Sequence, residues 1–121
     1  MEKSFSQRVS EAKAAVPSLS VAAARSLHAT PAVFVDPRPA DAIAATTGLI
    51  PGALNVPLDD IASGRLPEAL RDRSSRVVTA CEAGPMGAIA AHELSRLGFS
   101  DVRYVDGGTR AWRDAGYPVE R

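Results

Sequence analysis

The chain has 121 residues, of which 45% are hydrophobic and 23% charged, and its 14 Lys and Arg residues balance its 14 Asp and Glu residues. This length suits one domain with a hydrophobic core and is too short for two, and the zero net charge excludes a general electrostatic attraction to nucleic acid or to an anionic membrane. One cysteine and two widely separated histidines provide neither an intramolecular disulfide nor a metal-ligand cluster, so we expect no metal and no cofactor.

Strand and helix patterns alternate along the chain, separated by Pro and Gly residues. In chain order they are a helix at 5–15, a helix at 21–27, a strand at 32–35, a helix at 41–45, a strand at 54–56, helical turns at 58–61 and 67–70, a strand at 76–80, a helix at 86–97, a strand at 102–105 and a helix at 109–115. Because strands that alternate with helices pair in parallel, we predict an α/β domain with a central parallel sheet and helices on both faces.

The single cysteine, Cys81, lies where the predicted strand 76–80 gives way to a Gly and Pro loop and then to the predicted helix 86–97. Such a loop points backbone N–H groups and the positive end of a helix dipole at one place, which stabilises an anion there. A thiolate is such an anion, and it is the reactive form of cysteine. The loop also follows the carboxyl end of a strand, and the active sites of parallel α/β sheets form beyond these ends. Cys81 is therefore a candidate nucleophile, although a lone cysteine is by itself more often an inert packing residue.

Four blocks of the sequence, in this order, resemble the rhodanese family of sulfurtransferases. They are Val-Asp-Pro-Arg at residues 35–38, Gly-Leu-Ile-Pro-Gly-Ala-Leu-Asn-Val-Pro at 48–57, the Cys81 loop, and the segment 105–119 with its Gly-Gly, Ala-Trp and Gly-Tyr-Pro elements. The resemblance runs from about residue 19 to residue 119. It implies a rhodanese-like fold over residues 19–121, preceded by a helical extension at residues 1–18.

The resemblance also implies a chemistry for the loop. In rhodanese-like enzymes the cysteine thiolate takes up a sulfane sulfur as a persulfide and passes it to a second nucleophile, and Cys81 stands at that position. Arg38 is interpreted mainly as a structural residue that supports the site, and Arg110 and Arg113 as candidates to supply the positive charge that the loop lacks. The amides of the substrate-binding loop would stabilise the anionic sulfur. That loop consists of Glu82, Ala83, Gly84, Pro85, Met86 and Gly87.

The loop departs from the family pattern at two positions. Rhodaneses that use thiosulfate commonly carry an arginine directly after the cysteine and another at the position of Met86, whereas this chain has Glu82 and Met86. A carboxylate beside the thiolate repels a dianionic donor. We therefore predict inefficient use of thiosulfate and a neutral or organic sulfur donor, such as a low-molecular-weight persulfide or a protein persulfide.

The leading prediction is a rhodanese-type sulfurtransferase that moves sulfur between a small-molecule or protein donor and an acceptor. The alternative is a non-catalytic rhodanese-like module with a binding or regulatory role. A phosphatase would need a longer loop that ends in a phosphate-binding arginine, which neither Met86 nor Gly87 provides. No apolar run reaches the length of a signal peptide core or the roughly 20 residues that span a bilayer. We therefore expect a cytoplasmic protein with no nucleic-acid or membrane partner.

Overall fold

The computed structural model describes residues 3–120. The helices are α1 (Phe5–Ala15), α2 (Val21–His28), α3 (Ala40–Ala45), α4 (Leu58–Ala62), α5 (Pro85–Arg96) and α6 (Gly108–Asp114), with a 3₁₀ helix at Glu68–Leu70. The strands are β1 (Ser18–Leu19), β2 (Val33–Asp36), β3 (Leu54–Asn55), β4 (Arg76–Thr79) and β5 (Asp101–Val105). None of the helices described is both long enough and apolar enough to cross a membrane.

Over the described residues, the strands form one five-stranded parallel sheet in the order β1-β5-β4-β2-β3, which confirms the predicted fold class. The strand β4 is central, so the ends of β5 and β2 flank the loop that leaves its carboxyl end. The sequence patterns did not predict β1, which pairs Ser18 with Tyr104 and Leu19 with Val105 of β5. A strand of two residues is too short to show a period of two, so only its pairing with β5 defines it.

The hydrophobic core lies in two layers, one on each face of the sheet. Side chains alternate along β4, so Val77 belongs to one layer and Val78 to the other. The first layer joins the sheet to α1, α4 and α5 and includes Ala12 and Leu94. The second joins it to α2 and α6 and contains the fully buried Trp112. Helices therefore cover both faces, as predicted.

The helix α1 is packed against the domain. It begins with a capping box, in which the Gln7 N–H donates to Ser4 Oγ and the Ser4 N–H donates to the Gln7 side chain. Ala12 on this helix is fully buried, and Val16 directly after the helix is buried as well. The weak helical pattern at residues 5–15 is thus a helix that contributes to the core.

Candidate active site

Cys81 lies just beyond the carboxyl end of the central strand β4, and three residues separate it from α5. The residue is 3% exposed, and its Sγ accepts a hydrogen bond from the Gly84 N–H at 3.0 Å. Gly84 has a φ of 125°, which L side chains rarely adopt, so a glycine is what allows the chain to turn this N–H back toward the sulfur. The structure thus places Cys81 at the strand–loop–helix junction that the sequence indicates.

The start of α5 has no capping side chain. Gly84 is the N-cap residue and provides no side-chain cap, and Pro85 begins the helix. The first N–H groups of a helix have no partner within the helix, and they carry the positive end of its dipole. An anion near this end is therefore stabilised by donors that no capping side chain occupies.

Two contacts hold the start of α5 against the end of β4. The Thr79 hydroxyl donates to the Gly87 carbonyl oxygen at 2.6 Å. A Cβ atom at Gly87 would lie 3.2 Å from the Cys81 backbone nitrogen, so the first turn packs too closely for a larger residue to fit without a shift. These contacts fix the distance between the cysteine and the helix start.

The helix α6 supports the loop from the side of β5. The N–H groups of Thr109 and Arg110 donate to the carbonyl oxygens of Cys81 and Glu82 at 2.8 and 2.9 Å. Gly108 has a φ of 63°, and a Cβ atom there would lie 2.7 Å from both of those oxygens. Because N–H groups of α6 donate to these two carbonyl oxygens, the helix fixes the orientation of the peptide units that follow Cys81.

Glu82, which sequence analysis predicts to repel anionic donors, forms an ion pair in the structure. A guanidinium nitrogen of Arg110, Nη2, donates to Glu82 Oε2. The side chains are 36% exposed for Glu82 and 51% exposed for Arg110, so the pair lies at the surface of the loop. The positive charge of Arg110 does reach the loop, but it is directed at the Glu82 carboxylate.

The remaining loop side chains carry no charge. Ala83 is exposed, and Pro85 and Met86 are half-buried. Within the predicted substrate-binding loop, Glu82 is therefore the single ionisable side chain. Once its charge is balanced by Arg110, the surroundings of the loop are close to neutral.

Arg38 occupies a separate cluster at the end of β2. It is 4% exposed and forms a bidentate ion pair with Asp36, with Nε to Oδ1 at 3.0 Å and Nη2 to Oδ2 at 2.7 Å. Its other guanidinium bonds reach the Thr46 and Thr47 hydroxyls and the Gly48 carbonyl oxygen. These contacts tie the segment before residue 49 to the sheet, in keeping with the structural interpretation of this arginine.

Sequence reasoning did not single out several residues that form the site. Thr79 and Gly108 position the loop by the contacts described above, and Thr109 donates its N–H to Cys81. The Gly-Gly pair at residues 107–108 was the available signal, because two glycines at a helix start mark a close backbone approach. The ion pair between Glu82 and Arg110 joins residues 28 positions apart, and no local pattern encodes it.

A model of the rhodanese-like domain family matches residues 20–115 of the chain. The match covers most of the chain and includes the Cys81 loop and the first turn of α6. The protein therefore belongs to the rhodanese-like domain family.

Solved structures with the same fold agree with this assignment. A protein of unknown function from Rhodopseudomonas palustris, RPA3614, named a possible tyrosine phosphatase, is 28% identical, with a TM-score of 0.84, over 99% of this chain and 96% of its own. The human single-domain sulfurtransferase TSTD1 is 29% identical, with a TM-score of 0.70, over 82% of this chain and 96% of its own. A rhodanese-related protein from Thermoplasma volcanium is 24% identical, with a TM-score of 0.70, over 84% of this chain and 95% of its own, and shows the shared fold. No curated protein matches the sequence.

Proposed function

We propose that this protein is a sulfurtransferase that carries a sulfane sulfur as a persulfide on Cys81. The observation that carries the proposal is the hydrogen bond from the Gly84 N–H to Cys81 Sγ at the uncapped start of α5. A donor aimed at the sulfur stabilises the thiolate before attack and the persulfide anion after it. Membership of the rhodanese-like family and the similarity to a single-domain sulfurtransferase support the proposal.

The reaction consists of two displacements at sulfur. In the first, the Cys81 thiolate attacks the outer sulfur of a donor persulfide; the new S–S bond forms as the donor S–S bond breaks, and its electron pair leaves with the donor thiolate. In the second, a nucleophilic acceptor attacks the outer sulfur of the Cys81 persulfide, and the Cys81 thiolate leaves. The Gly84 N–H, together with the N–H groups of the other loop residues except Pro85, holds the negative charge near Sγ in both steps.

The chemistry of the loop favours a donor of low charge. Pro85 and Met86 give the loop an apolar surface, and Arg110 balances the charge of Glu82. A small organic persulfide or a protein persulfide suits these surroundings, and a thiol-containing molecule or protein is the matching acceptor. A cytoplasmic location suits this exchange, because thiols stay reduced in that compartment.

The second candidate is a non-catalytic rhodanese-like module. The observation that favours it is the burial of Cys81, which is 3% exposed and so presents only a small area to a donor. In such a module the same loop would serve as a rigid surface that binds another molecule. Sulfur transfer to the cysteine distinguishes the two candidates directly.

Intact-mass spectrometry tests the proposal without ambiguity of site, because Cys81 is the single cysteine of the chain. After incubation with cysteine persulfide and removal of excess donor, we expect the wild-type protein to gain the mass of one sulfur atom. The Cys81→Ser variant should gain none, and a thiol acceptor should return the wild-type protein to its original mass. If the folded wild-type protein gains no sulfur from cysteine persulfide or thiosulfate, the non-catalytic module is the correct function.

A further inference from the structure

Glu82 and Arg110, which form the ion pair at the Cys81 loop, are also joined by a backbone hydrogen bond. The Arg110 N–H donates to the Glu82 carbonyl oxygen at 2.9 Å, and the Arg110 guanidinium donates to the Glu82 carboxylate. Glu82 is the direct chain neighbour of Cys81, and Thr109 beside Arg110 bonds to Cys81 itself. The pair therefore lies directly beside the reactive residue.

Two other arginines, Arg38 and Arg113, have acidic partners outside the loop. Arg113, one turn further along α6, pairs with Asp114 at 3.3 Å. Arg38 at the end of β2 is held by Asp36. Arg110 is thus the arginine that is bonded to the loop, and its guanidinium is engaged by the Glu82 carboxylate.

We propose that the Glu82–Arg110 ion pair sets the class of sulfur donor, because it engages the cation that an anionic donor would need and so favours donors of low charge over thiosulfate. The inference rests on the proposed sulfur transfer to Cys81. For a dianion that approaches the loop, the negative charge of Glu82 cancels the attraction of Arg110, so the donor gains no net attraction there. A persulfide of low net charge does not depend on such an attraction.

With thiosulfate as the donor and cyanide as the acceptor, the same two displacements take place at sulfur. The Cys81 thiolate attacks the sulfane sulfur, the S–S bond of thiosulfate breaks, and sulfite leaves with the electron pair. Cyanide then attacks the outer sulfur of the Cys81 persulfide, giving thiocyanate and the Cys81 thiolate. Thiosulfate therefore differs from an organic persulfide in its leaving group and in its double negative charge, and the charge is the property on which the ion pair acts.

Glu82→Gln tests the inference, since it removes the negative charge, keeps the shape of the side chain and frees the Arg110 guanidinium. We expect the ratio of kcat/KM for thiosulfate to kcat/KM for cysteine persulfide to rise about tenfold at low salt, as charges a few ångströms apart allow. This gain should shrink at 0.5 M salt, because partly exposed charges are screened. Arg110→Gln leaves Glu82 unpaired and should lower the same ratio.

The combined variant Glu82→Gln with Arg110→Gln provides the sharpest result. If the gain comes from the freed arginine, adding Arg110→Gln to Glu82→Gln should remove most of it, and the combined variant should return to near the wild-type ratio. Arg113→Gln removes one positive charge from the same helix without touching the loop, and it should leave the ratio within twofold of wild type. Far-ultraviolet circular dichroism establishes that each variant is folded.

Two outcomes overturn the inference in distinguishable ways. If cysteine persulfide loads Cys81 but Glu82→Gln leaves the donor ratio unchanged at low salt, the ion pair does not set the donor class and the proposed function stands. If neither donor loads wild-type Cys81, the proposed function fails and the inference falls with it.

Discussion

Two fully buried threonines lie next to the Cys81 loop, and their hydroxyl groups differ in hydrogen bonding. Thr79 at the end of β4 donates its hydroxyl to the Gly87 carbonyl oxygen. The hydroxyl of Thr109 in α6 has no hydrogen-bond partner among the described residues, and only its backbone N–H bonds to Cys81. A buried polar group without a partner costs about 1–3 kcal/mol of desolvation that nothing offsets.

Replacing each threonine by valine distinguishes the bonded hydroxyl from the unbonded one, because both substitutions exchange a hydroxyl for a methyl group. Thr79→Val removes the bond to Gly87 and should lower the free energy of unfolding by about 1–2 kcal/mol. Thr109→Val removes a hydroxyl that bonds to nothing and keeps the backbone N–H, so it should leave the free energy unchanged or raise it by about 1 kcal/mol. Urea unfolding of the two variants and the wild type measures both effects. Equal destabilisation by the two substitutions would show that the Thr109 hydroxyl does have a partner in solution.

At the scale of elements, local pattern predicted most of what the structure contains. The β-branched run before Cys81 predicted β4 by its composition, and the alanine-rich run after it predicted α5 because it is long enough to show a helical pattern. The sequence did not predict β1, because its two residues are defined only by their pairing with β5. For the site, the loop and its glycines were visible in the sequence, since tight turns demand specific residues.

The Gly-Gly pair at residues 107–108 indicated a close backbone approach, but the sequence did not show that α6 supports the Cys81 loop. That support depends on β5 lying beside β4, which brings the start of α6 to the Cys81 loop. The side-chain partner of Glu82 follows from that same neighbourhood and not from any spacing along the chain. Contacts between elements that are distant in sequence become predictable only when the strand order is known.

The contact between α6 and the loop predicts unequal responses to alanine at two glycines of similar backbone conformation. Gly108 has a φ of 63° and Gly116 a φ of 87°, so both substitutions force a side chain into the left-handed region. Gly116→Ala meets no atom within 4 Å and should lower the free energy of unfolding by about 1–2 kcal/mol from backbone strain alone.

Gly108→Ala should be costlier, because its Cβ would lie 2.7 Å from the Cys81 and Glu82 carbonyl oxygens. We expect at least about 2 kcal/mol beyond the Gly116→Ala value, together with slower loading of sulfur on Cys81 as the loop is displaced. Urea unfolding and the rate of mass gain from cysteine persulfide provide the two measurements. A Gly108→Ala variant as stable and as fast as Gly116→Ala would show that α6 does not position the loop.

At the scale of the whole molecule, the question is whether α1 belongs to the same cooperative unit as the rhodanese-like domain. The family model begins at residue 20, whereas the similarity to the R. palustris protein covers 99% of the chain. The boundary at residue 18 between an extension and the domain stays a prediction. In the structure, Ala12 of α1 is fully buried in the core layer that also contains α5. Single domains of this size usually unfold in one step, so we propose that α1 unfolds together with the sheet.

Two alanines of α1, Ala12 and Ala14, test this proposal, because replacement by aspartate has the same intrinsic cost in helix propensity at both positions. Ala12→Asp buries a charge without a partner and should lower the free energy of unfolding by about 2–4 kcal/mol. Ala14→Asp places the same charge at an exposed position in the last turn of α1 and should lower it by only about 1 kcal/mol, from helix propensity and the helix dipole.

The single tryptophan of the chain provides the probe that decides between one unit and two. Trp112 is fully buried in the core layer on the opposite face of the sheet from Ala12, so its fluorescence reports on a region that α1 does not contact. If the molecule is one cooperative unit, Ala12→Asp should shift the urea midpoints of Trp112 fluorescence and of far-ultraviolet circular dichroism by the same amount. If the fluorescence midpoint stays at the wild-type value while helical signal is lost at low urea, α1 detaches by itself and is an appendage of an independently stable domain.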